Sequence, residues 1–122
     1  MNLSINEWAT KVHENAVNHG WWDEPRSDAE VIALCHSELS EALEESRAGR
    51  PMMYMIDQYN GIEEDTACFT HDQKPEGVAV EMVDCLIRIL DWCAQKGVDV
   101  EKVLEIKHRY NVTRPYKHGK AF

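Results

Sequence analysis

Two pairs of acids, Glu38-x-x-Glu41 and Glu81-x-x-Asp84, have the i, i+3 spacing that makes neighbours on a helix surface. The first pair falls where a helix should present its core. On a wheel of about 100° per residue with Val31 at zero, Leu34 lies at about 300°, Cys35 at about 40° and Ala42 at about 20°. Glu38 lies at about 340°, inside that apolar sector, with Glu45 at about 320° and Glu41 at about 280°. An unpaired carboxylate is costly to bury, so acids in such a sector are paired or bind a metal. The second pair opens a narrow polar stripe. With Val78 at zero, Glu81 lies at about 300°, Asp84 at about 240°, Arg88 at about 280°, Asp91 at about 220° and Gln95 at about 260°. Facing each other across two packed helices, Glu38, Glu41, Glu81 and Asp84 would offer the hard oxygen ligands that Mg²⁺ prefers, with Mn²⁺ as an alternative. A plain solvent stripe also accounts for Glu81 and Asp84, but not for an acid amid Leu34, Cys35 and Ala42.

Cations follow. With Val100 at zero, Leu104 lies at about 40° and Val103 at about 300°, while Lys107 lies at about 340°, Asn111 at about 20° and Arg114 at about 320°. From Lys107 onward the chain carries Lys107, Arg109, Arg114, Lys117 and Lys120 and no acid. Carboxylates for a metal, with Lys and Arg for phosphate oxygens, are the parts a Mg²⁺-polyphosphate needs. Simple balancing of an acidic surface is the alternative. Trp21 and Trp22, with His19 nearby, lie in a turn where a nucleobase could stack on Trp22, or where the rings plug a core or an interface.

Four helices position these residues. The first starts at a capping box, Ser4 with Glu7, and stops at Gly20. The second opens with Ser27 and Glu30 and ends before Gly49, with Pro51 beyond. The third follows Pro75, read as a first-turn proline, and ends at Gly97. The fourth begins at the N-cap Asp99 and runs to about Arg114, before Pro115. Between the second and third lies a long connection, about 50–74, read either as a surface loop holding a short helix or as a substrate lid or oligomer contact.

At 122 residues the chain is the size of one domain, and the expectation is a single all-α, four-helix domain. Helix three is apolar almost all round, so a chain this small needs a second subunit to bury it. A net charge of −9 argues against a nucleic-acid backbone as the main partner. No apolar run approaches membrane length, and the first residues do not resemble a signal peptide. Cys35, Cys68, Cys85 and Cys93 match no disulfide or zinc framework, which points to a reducing cytoplasm.

Taken together, His36-Ser37-Glu38-Leu39-Ser40-Glu41-Ala42-Leu43-Glu44-Glu45 resembles the first acidic helix of MazG-like all-α nucleoside triphosphate pyrophosphohydrolases. Lys74-Pro75-Glu76-Gly77 leading into Glu81-Met82-Val83-Asp84 resembles their second, and the tail from Tyr110 to Lys120 is similar to the ends of short members. The resemblance covers about residues 27 to 120 apart from the connection, which is longer than in compact members. It implies a MazG-like bundle completed by oligomerisation, as a homodimer or homotetramer. It implies Mg²⁺ on Glu38, Glu41, Glu81 and Asp84, and hydrolysis between the α and β phosphates to a monophosphate and pyrophosphate. Lys107, Asn111 and Arg114 would contact phosphate, with Lys120 in the same basic tail. Glu41 or Glu45 would be the general base, and the residues do not choose between them.

Three rivals stand beside this reading. One is a non-catalytic nucleotide sensor or helical interaction module. A di-iron bundle needs Glu-x-x-His twice, and only Glu105-x-x-His108 occurs. A zinc site on Cys68-x-x-His71 has two ligands in view.

Overall fold

The computed structural model describes residues 2–57, 61–63 and 73–121. Four α-helices dominate: α1 (Ile5–Asn18), α2 (Asp28–Arg47), α3 (Val78–Gln95) and α4 (Val100–Val112), followed by a 3₁₀ turn at Tyr116–Gly119. The caps explain the boundaries. Ser4 and Glu7 form the full reciprocal box at the start of α1. Ser27 Oγ accepts from the Glu30 amide at the start of α2, while the Glu30 carboxylate takes Arg26 at 2.5 Å. Asp99 caps α4 by accepting from the Lys102 amide. Gly20, Gly49 and Gly97 follow the first three helices with positive φ, as helix stops require.

Among its described residues, the connection after α2 forms strands and no helix. It builds a three-stranded antiparallel sheet of β1 (Tyr54–Asp57), β2 (Gly61–Glu63) and β3 (Gln73–Glu76), in the order β2-β1-β3. Pro75 belongs to β3, paired with Met55, and not to the first turn of α3. An edge strand tolerates a proline because one side of it needs no ladder donor. Gly77 makes the change from strand to helix. Its φ is +120°, and a Cβ there would come within 2.3 Å of the Met52 carbonyl oxygen. That carbonyl accepts from the Ala79 amide at 3.0 Å and so satisfies one of the open donors at the start of α3. Tyr54 and Met55 of β1 are core residues.

The chain divides into two compact units, 1–23 with 90–122, and 24–89. In the first, Asp91 is buried and accepts from Trp22 Nε1 at 2.9 Å, with His13 Nδ1 at 2.8 Å. Asn6 ties α1 to the start of α4 through Asp99, at 2.8 Å. In the second, α2, the sheet and the first three turns of α3 carry the acids. Here several apolar side chains stay exposed, among them Leu43 on α2 and Met82, Val83 and Leu86 on α3. Cys85 and Cys93 are buried and Cys35 is half-buried; burial pushes the Cys35 and Cys93 thiols up, as for small core residues. Cys68 and His71 lie outside the described residues. Among the described residues, no helix is long and apolar enough to cross a membrane.

Candidate metal centre

The second unit brings acids from two helices to one point. Glu38 and Glu41 of α2 and Glu81 of α3 each offer a carboxylate oxygen, and the three oxygens lie within 4.8 Å of one another. Glu38 and Glu81 are buried, and Glu41 is exposed. On α2 the wheel explains this, with Glu38 inside the apolar sector and Glu41 at its edge; on α3 it is the polar stripe, with Glu81, that is buried, while Met82, Val83 and Leu86 are exposed. Asp84 is half-buried and is not one of the three. It is still close enough for the Glu38 charge, after burial itself, to raise its carboxyl above the usual range, against a lowering by Arg88.

Each acid has a different partnership. Glu38 takes the Arg88 guanidinium, Nε to Oε1 at 2.7 Å. Glu45 is buried one further turn pair along α2, and both of its oxygens accept from the Tyr54 hydroxyl, at 3.0 and 2.9 Å. Arg50 adds a third contact at 3.1 Å. Glu45 is therefore firmly held, and Glu41 is the less constrained of the two base candidates. Among the described residues, Glu81 is in no ion pair with a cation. Burial, then hydrogen bonds with Glu41 and Glu76, then the charges of Asp84 and Glu41, push it up to about 8. Its Oε2 is buried without a hydrogen-bond partner.

Arg88 on Glu38 is the one cation paired with these three acids among the described residues. Three carboxylates this close repel one another unless a proton or a cation stands between them. The donors are all hard oxygens, the set that suits Mg²⁺ or Mn²⁺, and the buried Glu81 Oε2 is not used in a hydrogen bond. On the chemistry of its donors, the cluster fits a divalent cation held by Glu38, Glu41 and Glu81, with Asp84 beside it.

A cavity of about 370 Å³ opens next to the cluster, lined by Ser40, Glu41, Glu44, Glu45, Lys74, Glu76 and Glu81. Lys74 and Glu76 come from β3 and pair at 2.7 Å. Glu76, and with less weight Glu81 and Glu41, raise the Lys74 ammonium above its ordinary value. Neither residue was singled out by helical periodicity, because both lie in a strand. Tyr54 and Arg88 were likewise missed as partners. Arg88 had a readable signal, since it shares its sector of α3 with Glu81.

The other expected site residues belong to the first unit. Lys107 and Arg114 lie over the Tyr110 ring, at 4.8 and 5.8 Å from its centre. Lys107 is exposed, Asn111 and Arg114 are half-buried, and Lys120 is exposed beyond the 3₁₀ turn. Trp22 spends its indole N–H on Asp91, and its ring meets that of His13 at 6.2 Å, as a packing residue does. Glu105 and His108 are exposed, and Glu105 pairs with Arg109 at 2.6 Å, which leaves the di-iron alternative without a second Glu-x-x-His.

Comparison with protein-family models found no matching family, and comparison with curated proteins and with solved structures found no match.

Proposed function

We propose that the chain is a Mg²⁺-dependent nucleoside triphosphate pyrophosphohydrolase of the MazG-like kind. The observation that carries this reading is the meeting of Glu38, Glu41 and Glu81 from two helices, with a buried Glu81 oxygen left without a partner. The E-x-x-E and E-x-x-D resemblance supplies the substrate class. Mg²⁺ bound at this point would neutralise the triphosphate and make the attacking water easier to deprotonate. Glu41, exposed at the rim, accepts that proton. Water oxygen joins the α phosphorus, the bond from that phosphorus to the bridging oxygen breaks, and pyrophosphate leaves. Arg88 fixes the orientation of Glu38, and Tyr54 with Arg50 fixes Glu45 as a wall of the cavity. Lys107, Asn111, Arg114, Lys120 and Trp22 lie in the other unit, and the proposal needs none of them.

Oligomerisation is part of the same reading. Met82, Val83 and Leu86 are about half exposed, at 53%, 50% and 48%, on a helix with few polar residues. Apolar exposure of this extent along one helix suits burial by another subunit. Sedimentation of a dimer or tetramer supports it, and a strict monomer contradicts it.

The test is incubation with each canonical and deoxy nucleoside triphosphate in Mg²⁺ and in EDTA. The expected products are monophosphate and pyrophosphate, abolished by EDTA and by Glu38→Gln. Orthophosphate release, or no turnover, defeats the reading in favour of a sensor or an interaction module.

A further inference from the structure

The cavity beside the acids is walled mostly by carboxylates, and Lys74 carries the one positive charge among its described lining residues. A polyphosphate entering such a cavity meets repulsion on every side except the bound cation and this ammonium. Lys74 and Glu76 are two apart on β3, so both point to one face of the strand. The strand is fixed in place. Ile56 pairs with Lys74, and Gly77 packs against the Met52 carbonyl with no room for a side chain. The Lys74 side chain is not fixed in the same way. It is 77% exposed and pairs at its tip with Glu76 at 2.7 Å, while the Glu76 side chain is only 14% exposed. Glu76 in turn hydrogen-bonds Glu81, so the ammonium is tethered one carboxyl away from the cation cluster.

We propose that Lys74 is a phosphate-binding residue of this site, exchanging Glu76 for a non-bridging oxygen of a Mg²⁺-polyphosphate, and that Glu76 is the positioning residue that holds it ready. This inference rests on the pyrophosphohydrolase reading and adds a residue to it. The Lys74 end of the pair is exposed, so its ammonium is free to reach an incoming phosphate oxygen. Lysine suits the task, as a compact charge on a long stem that can follow a phosphate oxygen as the chain is cleaved. The sheet inserted between α2 and α3 thereby gains a role: it delivers a cation to a cavity whose other described lining residues carry none.

The test uses the full chain with inorganic tripolyphosphate plus Mg²⁺ as one probe and Mn²⁺ alone as the other. Binding is measured by calorimetry for wild type, Lys74→Met, Lys74→Arg and Glu81→Gln. Lys74→Met should weaken tripolyphosphate at least about tenfold, the loss of one charged hydrogen bond. It should leave Mn²⁺ affinity unchanged, and Lys74→Arg should recover most of the loss. The exposed position of Lys74 keeps these variants folded. If Lys74→Met binds tripolyphosphate as wild type does while Glu81→Gln loses it, the inference fails and the metal-site reading stands. If Lys74→Met loses Mn²⁺ as well, its role is structural and the inference also fails. Wild type that binds neither probe overturns the reading itself, and the inference with it.

Discussion

Helix α3 carries two buried acids, and they are provided for in opposite ways. Asp91, in the first unit, meets two ring nitrogens, of His13 and Trp22. Glu81, in the second, meets other carboxyls, keeps one oxygen without a partner and is pushed up to about 8. Both are equally buried, at 6% exposure, so burial alone does not separate them. Partnership does. A satisfied buried acid holds a fold together, whereas a crowded, half-satisfied one weakens the fold and is explained by something that binds it.

Exchanging the acids for neutral groups should split the two roles. Glu81→Gln is expected to lower metal-dependent turnover by at least about a hundredfold, because a ligand for the cation is lost. It should leave the thermal midpoint close to wild type, since near neutral pH the metal-free Glu81 is already largely protonated. Asp91→Ala should do the reverse. Leaving the His13 and Trp22 donors unpaired costs about 1–3 kcal/mol, readable by chemical denaturation, with Mn²⁺ binding by the folded fraction intact. Loss of cation binding in the Asp91 variant alone would break the comparison.

The pH dependence sharpens it. Glu81 is raised from an ordinary 4.5 to about 8. Across that window the folded, metal-free protein holds a proton that the unfolded chain has released. Its contribution therefore destabilises the metal-free fold as pH rises from about 4.5, and levels off above about 8. A divalent cation competes with that proton. The gain in thermal midpoint on adding Mn²⁺ should thus be larger at about pH 8.5 than at about pH 6, and should flatten in Glu81→Gln. A gain independent of pH would mean that the cation does not meet Glu81.

Tyr54→Phe should have the smallest effect. Glu45 loses one donor but keeps Arg50, so the expected cost is about 1 kcal/mol, with a modest fall in turnover through a looser cavity wall. A collapse of turnover as deep as that of Glu81→Gln would make Glu45 the base in place of Glu41.

Much of this was legible in the sequence. Side-chain caps at Ser4, Ser27 and Asp99 and the glycines after the helices are local signals, and they mark the boundaries closely. Glu38 amid Leu34, Cys35 and Ala42 is a conflict between residue type and position, and it pointed straight to the cluster. The sheet was not legible. Its strands are three or four residues long, too short for alternation to stand out, and Pro75 before an apolar helix looks like a first helical turn. Lys74 and Glu76 reach the cavity, and Tyr54 reaches Glu45, only because those strands form, so no helical wheel could include them. Asp84 shows the limit of the wheel itself: it gives an angle on a helix, and the carboxylate separation depends on how two helices meet.

The most direct test is a Mn²⁺ titration followed by electron paramagnetic resonance near pH 8, on wild type, Glu81→Gln and Asp91→Ala. The expected result is saturable Mn²⁺ binding in wild type and in Asp91→Ala, and its loss in Glu81→Gln. Wild type that leaves Mn²⁺ free in solution, or Glu81→Gln that binds it equally well, would contradict the assignment of Glu38, Glu41 and Glu81 as a cation site.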